Sequence, residues 1–230
     1  MPEKVFFVVE PTVSVELAGY AARHLAAYDV AFGTCLPACF RDYRLIVLWN
    51  LQRIIKDLPD ERNVVVFHSS DLPKGRGWAP IYHALAEDRP EHVISAVLVT
   101  ARVDGGDVVA KARFAIDPAC SARELRAFDE EVCTMLAAAI LERFAGRPIS
   151  GAPQCGAPTY YKRRIPQDNE VDLARPLAEL VPHLRACEPR HPAWFTWRGA
   201  RYRISIAAES PPAFPSVRIE FGEDGTERPT

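Results

Sequence analysis

The side chains with most chemistry to offer stand together at 63–85, NVVVFHSSDLPKGRGWAPIYHAL. An apolar run ends on His68, and a loop carrying Asp71, Lys74 and Arg76 begins at once, shaped by Pro73, Gly75 and Gly77. A second group follows at 103–107, VDGGD, where Asp104 and Asp107 flank two glycines that allow a ligand to approach the backbone closely. An imidazole and a carboxylate held together are candidates for general acid–base work. A lone histidine at a strand end is equally a hydrogen-bonded structural residue, so its reading turns on its surroundings.

Those surroundings are strands alternating with helices. KVFFVV (4–9), DVAFG (29–33), YRLIVLWN (43–50) and NVVVFH (63–68) read as strands. VSVELAGYAARHLAAY (13–28) has its apolar residues at helical spacing, and LQRIIKDL (51–58) reads as a short helix. Continuous apolar strands separated by helices predict a mostly parallel sheet covered on both faces, an α/β fold. In such a sheet reactive groups collect beyond the carboxyl ends of the strands, which is where His68 stands. APIYHALAED is helical, HVISAVLVTARV and DVVAKARFAID pair as strands around the glycine turn, and 121–144 is the clearest helix, opened by a capping box of Ser121 and Glu124. Residues 148–230 change character and are expected to form a small C-terminal α+β extension to a domain at 1–147. The extension holds a Pro- and Gly-rich loop with Lys162, Arg163 and Arg164, a helix near 175–187, a hairpin turning at Arg198-Gly199, and a strand within PSVRIEF before a polar tail.

Composition narrows the classes. The chain has 230 residues, is 48% hydrophobic and 25% charged, and carries a formal charge of −2, an ordinary globular balance without the basic excess of most nucleic-acid binders. The apolar run near the N-terminus is too short for a signal peptide or a membrane span, which predicts a cytoplasmic protein with no membrane partner. Six scattered cysteines include Cys35 and Cys39 as a C-x3-C pair with no second pair at metal spacing, so they read as reduced thiols and no metal is expected.

The segment HSSDLPKGRGWAPIYHAL resembles the signature of the formyltransferases that use N10-formyltetrahydrofolate, Asn-x-His-Pro-Ser-(x)2-Pro-(x)2-Arg-Gly followed by a helix. RVDGGDVVAKARFAI is similar to that family's Asp-x-Gly segment and comes 36 residues later. The resemblance covers roughly 43–145 and implies a Rossmann-like domain. It assigns His68 to polarise the formyl carbonyl and stabilise its oxyanion, and Asp104 to manage proton transfer, with Asp107 as the second choice. It also implies N10-formyltetrahydrofolate as co-substrate, with Trp49 and Asp107 near the folate. The family's asparagine two residues before the histidine is Val66 here, which has no donor. Asn63 stands roughly 16 Å from His68 along a strand rising about 3.3 Å per residue. Asn50, at the end of 43–50, reads either as the replacement donor or as the N-cap of 51–58.

The acceptor is indicated by PTYYKRRIPQDNEVDL, which resembles a segment of formyltransferases acting on nucleotide-linked amino sugars. HLRACEPRHPAWFTWRGARYRISIA is similar to a small C-terminal module in several of them. The form His-x-Ser-Asp-Leu-Pro-Lys-Gly-(Arg/Lys)-Gly-Trp resembles a branch associated with surface sugars, including pseudaminic-acid-type nonulosonates, which also lacks the asparagine. Arg163, Arg164 and Lys162 could receive a diphosphate, Tyr160 or Tyr161 could stack on a base or sugar, and Lys74 and Arg76 could hold a substrate phosphate or the folate tail. The rival acceptors are methionyl-tRNA and an amino acid such as hydroxyornithine; a non-catalytic folate or nucleotide-sugar binding module is the reading from another class. The hairpin near 193–208 is read either as a homodimer interface or as a packed lid.

Overall fold

The computed structural model describes residues 1–10, 14–51, 53, 55, 63–214 and 216–222. The helix expected over 51–58 and the polar tail fall largely outside these residues.

Seven strands form one sheet in the order β11-β7-β6-β4-β3-β1-β2. β1 (Lys4–Val9), β2 (Asp29–Gly33), β3 (Leu45–Trp49) and β4 (Val64–His68) are mutually parallel. All five residues of β3 are buried, as a continuous apolar run covered on both faces requires. β6 (Glu91–Leu98), β7 (Val108–Ala115) and β11 (Arg218–Phe221) extend the sheet antiparallel from β4.

One face is closed by α1 (Val15–His24) and α3 (Ala122–Arg143). Ser14 caps α1 by accepting from the Leu17 amide at 2.9 Å. The capping box of α3 is present, and its buried stripe of Leu125, Val132, Leu136 and Ile140 lies in the main core. The short α2 (Pro80–Ala86) follows the His68 loop.

Beyond residue 147 the chain returns to the first part twice. β8 (Tyr160–Tyr161) pairs in parallel with the two-residue β5 (Arg76–Gly77), and β11 joins the edge at β7. Between these returns lie α4 (Leu177–Ala186) and a hairpin of β9 (Ala193–Trp197) and β10 (Ala200–Ile204), which turns through Arg198 and Gly199, both at positive φ. Val171, Leu180, Leu184 and Ala193 give this part a small core of its own.

Candidate active site

β4 ends at His68 while its neighbour β6 runs on past it, with His68 opposite Ser95. The loop after His68 therefore folds back beside the sheet. Ser70 closes it by donating to the Lys74 carbonyl at 2.9 Å, and Ser95 anchors it by donating to the Ser70 carbonyl at 2.7 Å. His68 Nε2 lies 2.9 Å from the Gly75 carbonyl. A carbonyl only accepts, so Nε2 carries a proton. Nδ1 faces Asp104 Oδ2 at 3.8 Å, and the two side chains are 11% and 9% exposed. That separation exceeds a hydrogen bond but leaves no room for another group between them.

Asp104 sits in the turn between β6 and β7 with φ of 51°, and its Oδ2 also accepts from the Gly77 amide at 3.2 Å. Gly77 is required there. Its φ is 94°, and a Cβ would stand 2.5 Å from the Tyr161 carbonyl on the paired strand. The imidazole thus has a protonated nitrogen on a loop carbonyl and its other nitrogen toward a carboxylate. Such a pair can hold negative charge developing on an oxygen and accept a proton nearby. Elsewhere in this loop the hydroxyl and amide groups described above are held by the fold.

No protein-family model matches the chain. A methionyl-tRNA formyltransferase from Symbiobacterium thermophilum is 33% identical over 159 residues, covering 67% of this chain and 47% of the relative. The chain spans about half the length of the curated relatives it matches. A solved methionyl-tRNA formyltransferase from Clostridium thermocellum superimposes with a TM-score of 0.69 at 19% identity, covering 96% of this chain and 100% of that one. A sugar N-formyltransferase from a Shewanella species gives 0.64 at 14%, covering 91% and 99%. HypX from Aquifex aeolicus in complex with tetrahydrofolic acid gives 0.66 at 15%, covering 89% and 37%. The likeness is to formyltransferases, in sequence and in fold.

On the formyltransferase fold, the expected residues divide. His68 and Asp104 meet. Asn50 lies one step beyond the Trp49–Phe67 pair of the parallel strands, at the edge where β4 ends. Its φ is 53°, it is exposed, and its amide donates to the Glu10 carbonyl at 3.5 Å rather than toward His68. Asn63 donates to the Phe40 and Tyr43 carbonyls at the far end of β4. Val66 packs against Leu72, Val97 and Val108.

Four of the expected binding residues are buried or engaged within the fold. Trp49 is 5% exposed within the main core. Arg76 is 5% exposed, and its guanidinium donates to Tyr160 Oη at 3.0 Å and Gln154 Oε1 at 2.6 Å. Tyr161 stacks on His83 with ring centroids 3.6 Å apart, donates to Glu87 Oε1 at 2.7 Å and accepts from Arg89. Burial first, and then Glu87, push its phenol up to about 12. Arg164 lies 3.2 Å over the Tyr82 ring and donates to Asn169. Still available at the surface are Lys74, Tyr160, Lys162 and Arg163, the last stacked 4.8 Å over Trp78. Asp107 is exposed, and its carbonyl accepts from the Leu98 amide.

A buried cluster behind the site escaped the sequence reading. His92 Nε2 lies 2.7 Å from Asp129 Oδ1, Ser69 donates to Asp129 Oδ2 at 3.1 Å, and His92 and Asp129 are 1% and 0% exposed. Their places on β6 and on the inner face of α3 would have shown only as polar residues inside apolar patterns. Among the described residues no helix is long and apolar enough to cross a membrane, and no three His, Cys, Asp or Glu side chains could hold a metal ion.

Proposed function

We propose that the protein transfers a formyl group from N10-formyltetrahydrofolate to a primary amine, and that the amine belongs to a nucleotide-linked amino sugar. The observation that carries the first part is the His68–Asp104 pair, supported by the likeness to formyltransferases. The donor set suits a direct transfer. It offers a ring N–H and a carboxylate, and the nearby Ser70 hydroxyl is committed to the Lys74 carbonyl.

In the proposed step the amine lone pair forms the new C–N bond, and the carbonyl π pair moves onto the formyl oxygen. The His68 Nε2–H, held ready by Gly75, turns to that oxygen. An oxyanion on the Nδ1 side would face the Asp104 carboxylate, so like charge directs it to Nε2. Asp104 accepts the proton the amine gives up. The oxyanion collapses, the bond from carbon to N10 breaks, and N10 takes the proton held by Asp104, which restores the carboxylate as tetrahydrofolate leaves.

The amino-sugar acceptor rests on the resemblance of 158–173 to sugar formyltransferases and on exposed Tyr160, Lys162 and Arg163 beside the site. These offer a ring for stacking and cations for a diphosphate. A bacterial surface glycan is the destination this reading implies. Methionyl-tRNA is the second reading, favoured by the identity of the sequence relatives. Mass spectrometry with N10-formyltetrahydrofolate, nucleotide-linked amino sugars and methionyl-tRNA decides between them. The expected result is a gain of one formyl mass on a sugar, lost in His68→Asn; formylation of methionyl-tRNA alone would move the acceptor to the second reading.

A further inference from the structure

We infer that Gln154 is a positioning residue that sets the Asp104 carboxylate against His68, an inference that rests on the formyl-transfer reading of this pair. Gln154 belongs to the Pro- and Gly-rich stretch after residue 147, 50 positions from Asp104, yet its side chain reaches into the turn that presents the carboxylate. Its Nε2 donates to the carbonyl of Asp104 itself at 2.9 Å and to that of Gly106 at 2.8 Å. Its Oε1 accepts from Arg76 Nη2 at 2.6 Å. The amide's orientation is fixed by chemistry, since guanidinium only donates and the two carbonyls only accept.

The turn needs such a brace. Asp104 is held at φ of 51°, a conformation aspartate adopts more readily than most residues but in which the turn still depends on its neighbours for its exact setting. The carboxylate's own tie is one 3.2 Å bond from the Gly77 amide. Gly77 is flanked by Arg76, whose buried guanidinium has only neutral hydrogen-bond partners among the described residues, Tyr160 and Gln154. Gln154 therefore joins the two segments that carry the reacting pair. Arg76 adjoins Gly75, the residue on which His68 rests, and the Asp104 turn carries the other partner. The buried cation polarises the amide and strengthens its donation to the turn. The segment 154–161 completes the clamp, since Thr159 accepts from the Gly75 amide at 2.8 Å and its carbonyl from the Arg76 amide at 2.9 Å.

The test uses Gln154→Glu and Gln154→Met in the full chain. The glutamate keeps the length and the Arg76 partner but cannot donate to the two carbonyls; the methionine keeps shape alone. A displacement of about 1 Å in a reacting group can cost about 100-fold. The expected result is a fall in kcat of about 10- to 100-fold in both variants, with KM for the folate within about twofold, because the loss is of alignment rather than binding. Independently of turnover, hydrogen exchange at the Gly77 amide should accelerate at least about tenfold while amides of β1 keep their protection. Wild-type kcat and Gly77 exchange in Gln154→Glu would overturn the inference, as would a loss of protection spread evenly over β1. If the wild-type protein formylates no acceptor, the proposed function fails while the Gly77 exchange still decides the role of Gln154.

Discussion

Replacing Asp104 by asparagine removes a charge from the site and leaves the rest in place. The amide oxygen introduced by Asp104→Asn could accept from the Gly77 amide as the carboxylate does, and asparagine tolerates the left-handed backbone that Asp104 adopts at φ of 51°. The perturbation is therefore confined to the loss of a charge and of a proton acceptor. Asp104 Oδ2 stands 3.8 Å from His68 Nδ1, with both side chains about nine-tenths shielded from solvent. In the proposed step Asp104 takes the proton that the amine gives up, and an amide oxygen is too weak a base to do so. General-base assistance contributes about 100- to 10,000-fold. The expected loss in kcat is of that size, about 3–5 kcal/mol at about 1.4 kcal/mol per tenfold. The assay is formyl transfer under saturating folate, with a urea melt of the same preparation. A variant with kcat within about threefold of wild type and an unchanged melt would refute the reasoning, because the carboxylate would then be only the acceptor for Gly77.

Asp129→Ala leaves the His92 ring and the Ser69 hydroxyl without their buried partner, and an unsatisfied buried polar group costs about 1–3 kcal/mol, to be read as a lower urea midpoint at unchanged slope; an unchanged midpoint would show the cluster is immaterial. The Tyr161 phenol is held up to about 12 against an ordinary value near 10, so the folded protein keeps its proton longer. The associated stability is present below about pH 10 and is lost as pH rises toward 12, and Tyr161→Phe should show a shallower alkaline decline than wild type over that interval. Formyl transfer should slow as pH falls through the acceptor amine's titration, since only the free amine attacks; a flat profile there would count against direct attack.

What could be read from the sequence is what is written in neighbouring residues. The Ser121–Glu124 capping box, the Arg198-Gly199 turn and the end of β4 at His68 are local, and each is present. The meeting of His68 with Asp104 came through motif resemblance, because no periodicity relates a strand end to a turn 36 residues on. The β5–β8 ribbon has no such signal. Two-residue strands pair across more than 80 positions, and their sequences, Arg-Gly and Tyr-Tyr, show no alternation. Gln154 was missed for the same reason, being one polar residue among prolines and glycines whose partners lie 50 and 78 positions away. The burial of Trp49 has the same kind of origin, since it follows from the covering of β3 on both faces by elements distant in the chain.

The arginines carry a more general consequence. Composition counts Arg76, Arg89, Arg163 and Arg164 alike, but the fold commits three of them internally: Arg76 to Tyr160 and Gln154, Arg89 to Glu87 and Tyr161, and Arg164 to Tyr82 and Asn169. Those contacts draw the segment 154–169 onto the His68 loop and α2, so the basic stretch after the two tyrosines serves first as a fastening. An acceptor bearing phosphate is left with Lys74, Lys162 and Arg163, which are exposed and lose less by exchanging water for phosphate oxygens than a buried, committed guanidinium would. Arg163 already lies over Trp78, the residue following the Gly77 that donates to Asp104. That pair would offer a nucleotide a cation and a ring one residue along the chain from the amide that holds Asp104. The same residues that fasten the C-terminal segment therefore bring its exposed cations to the edge of the site.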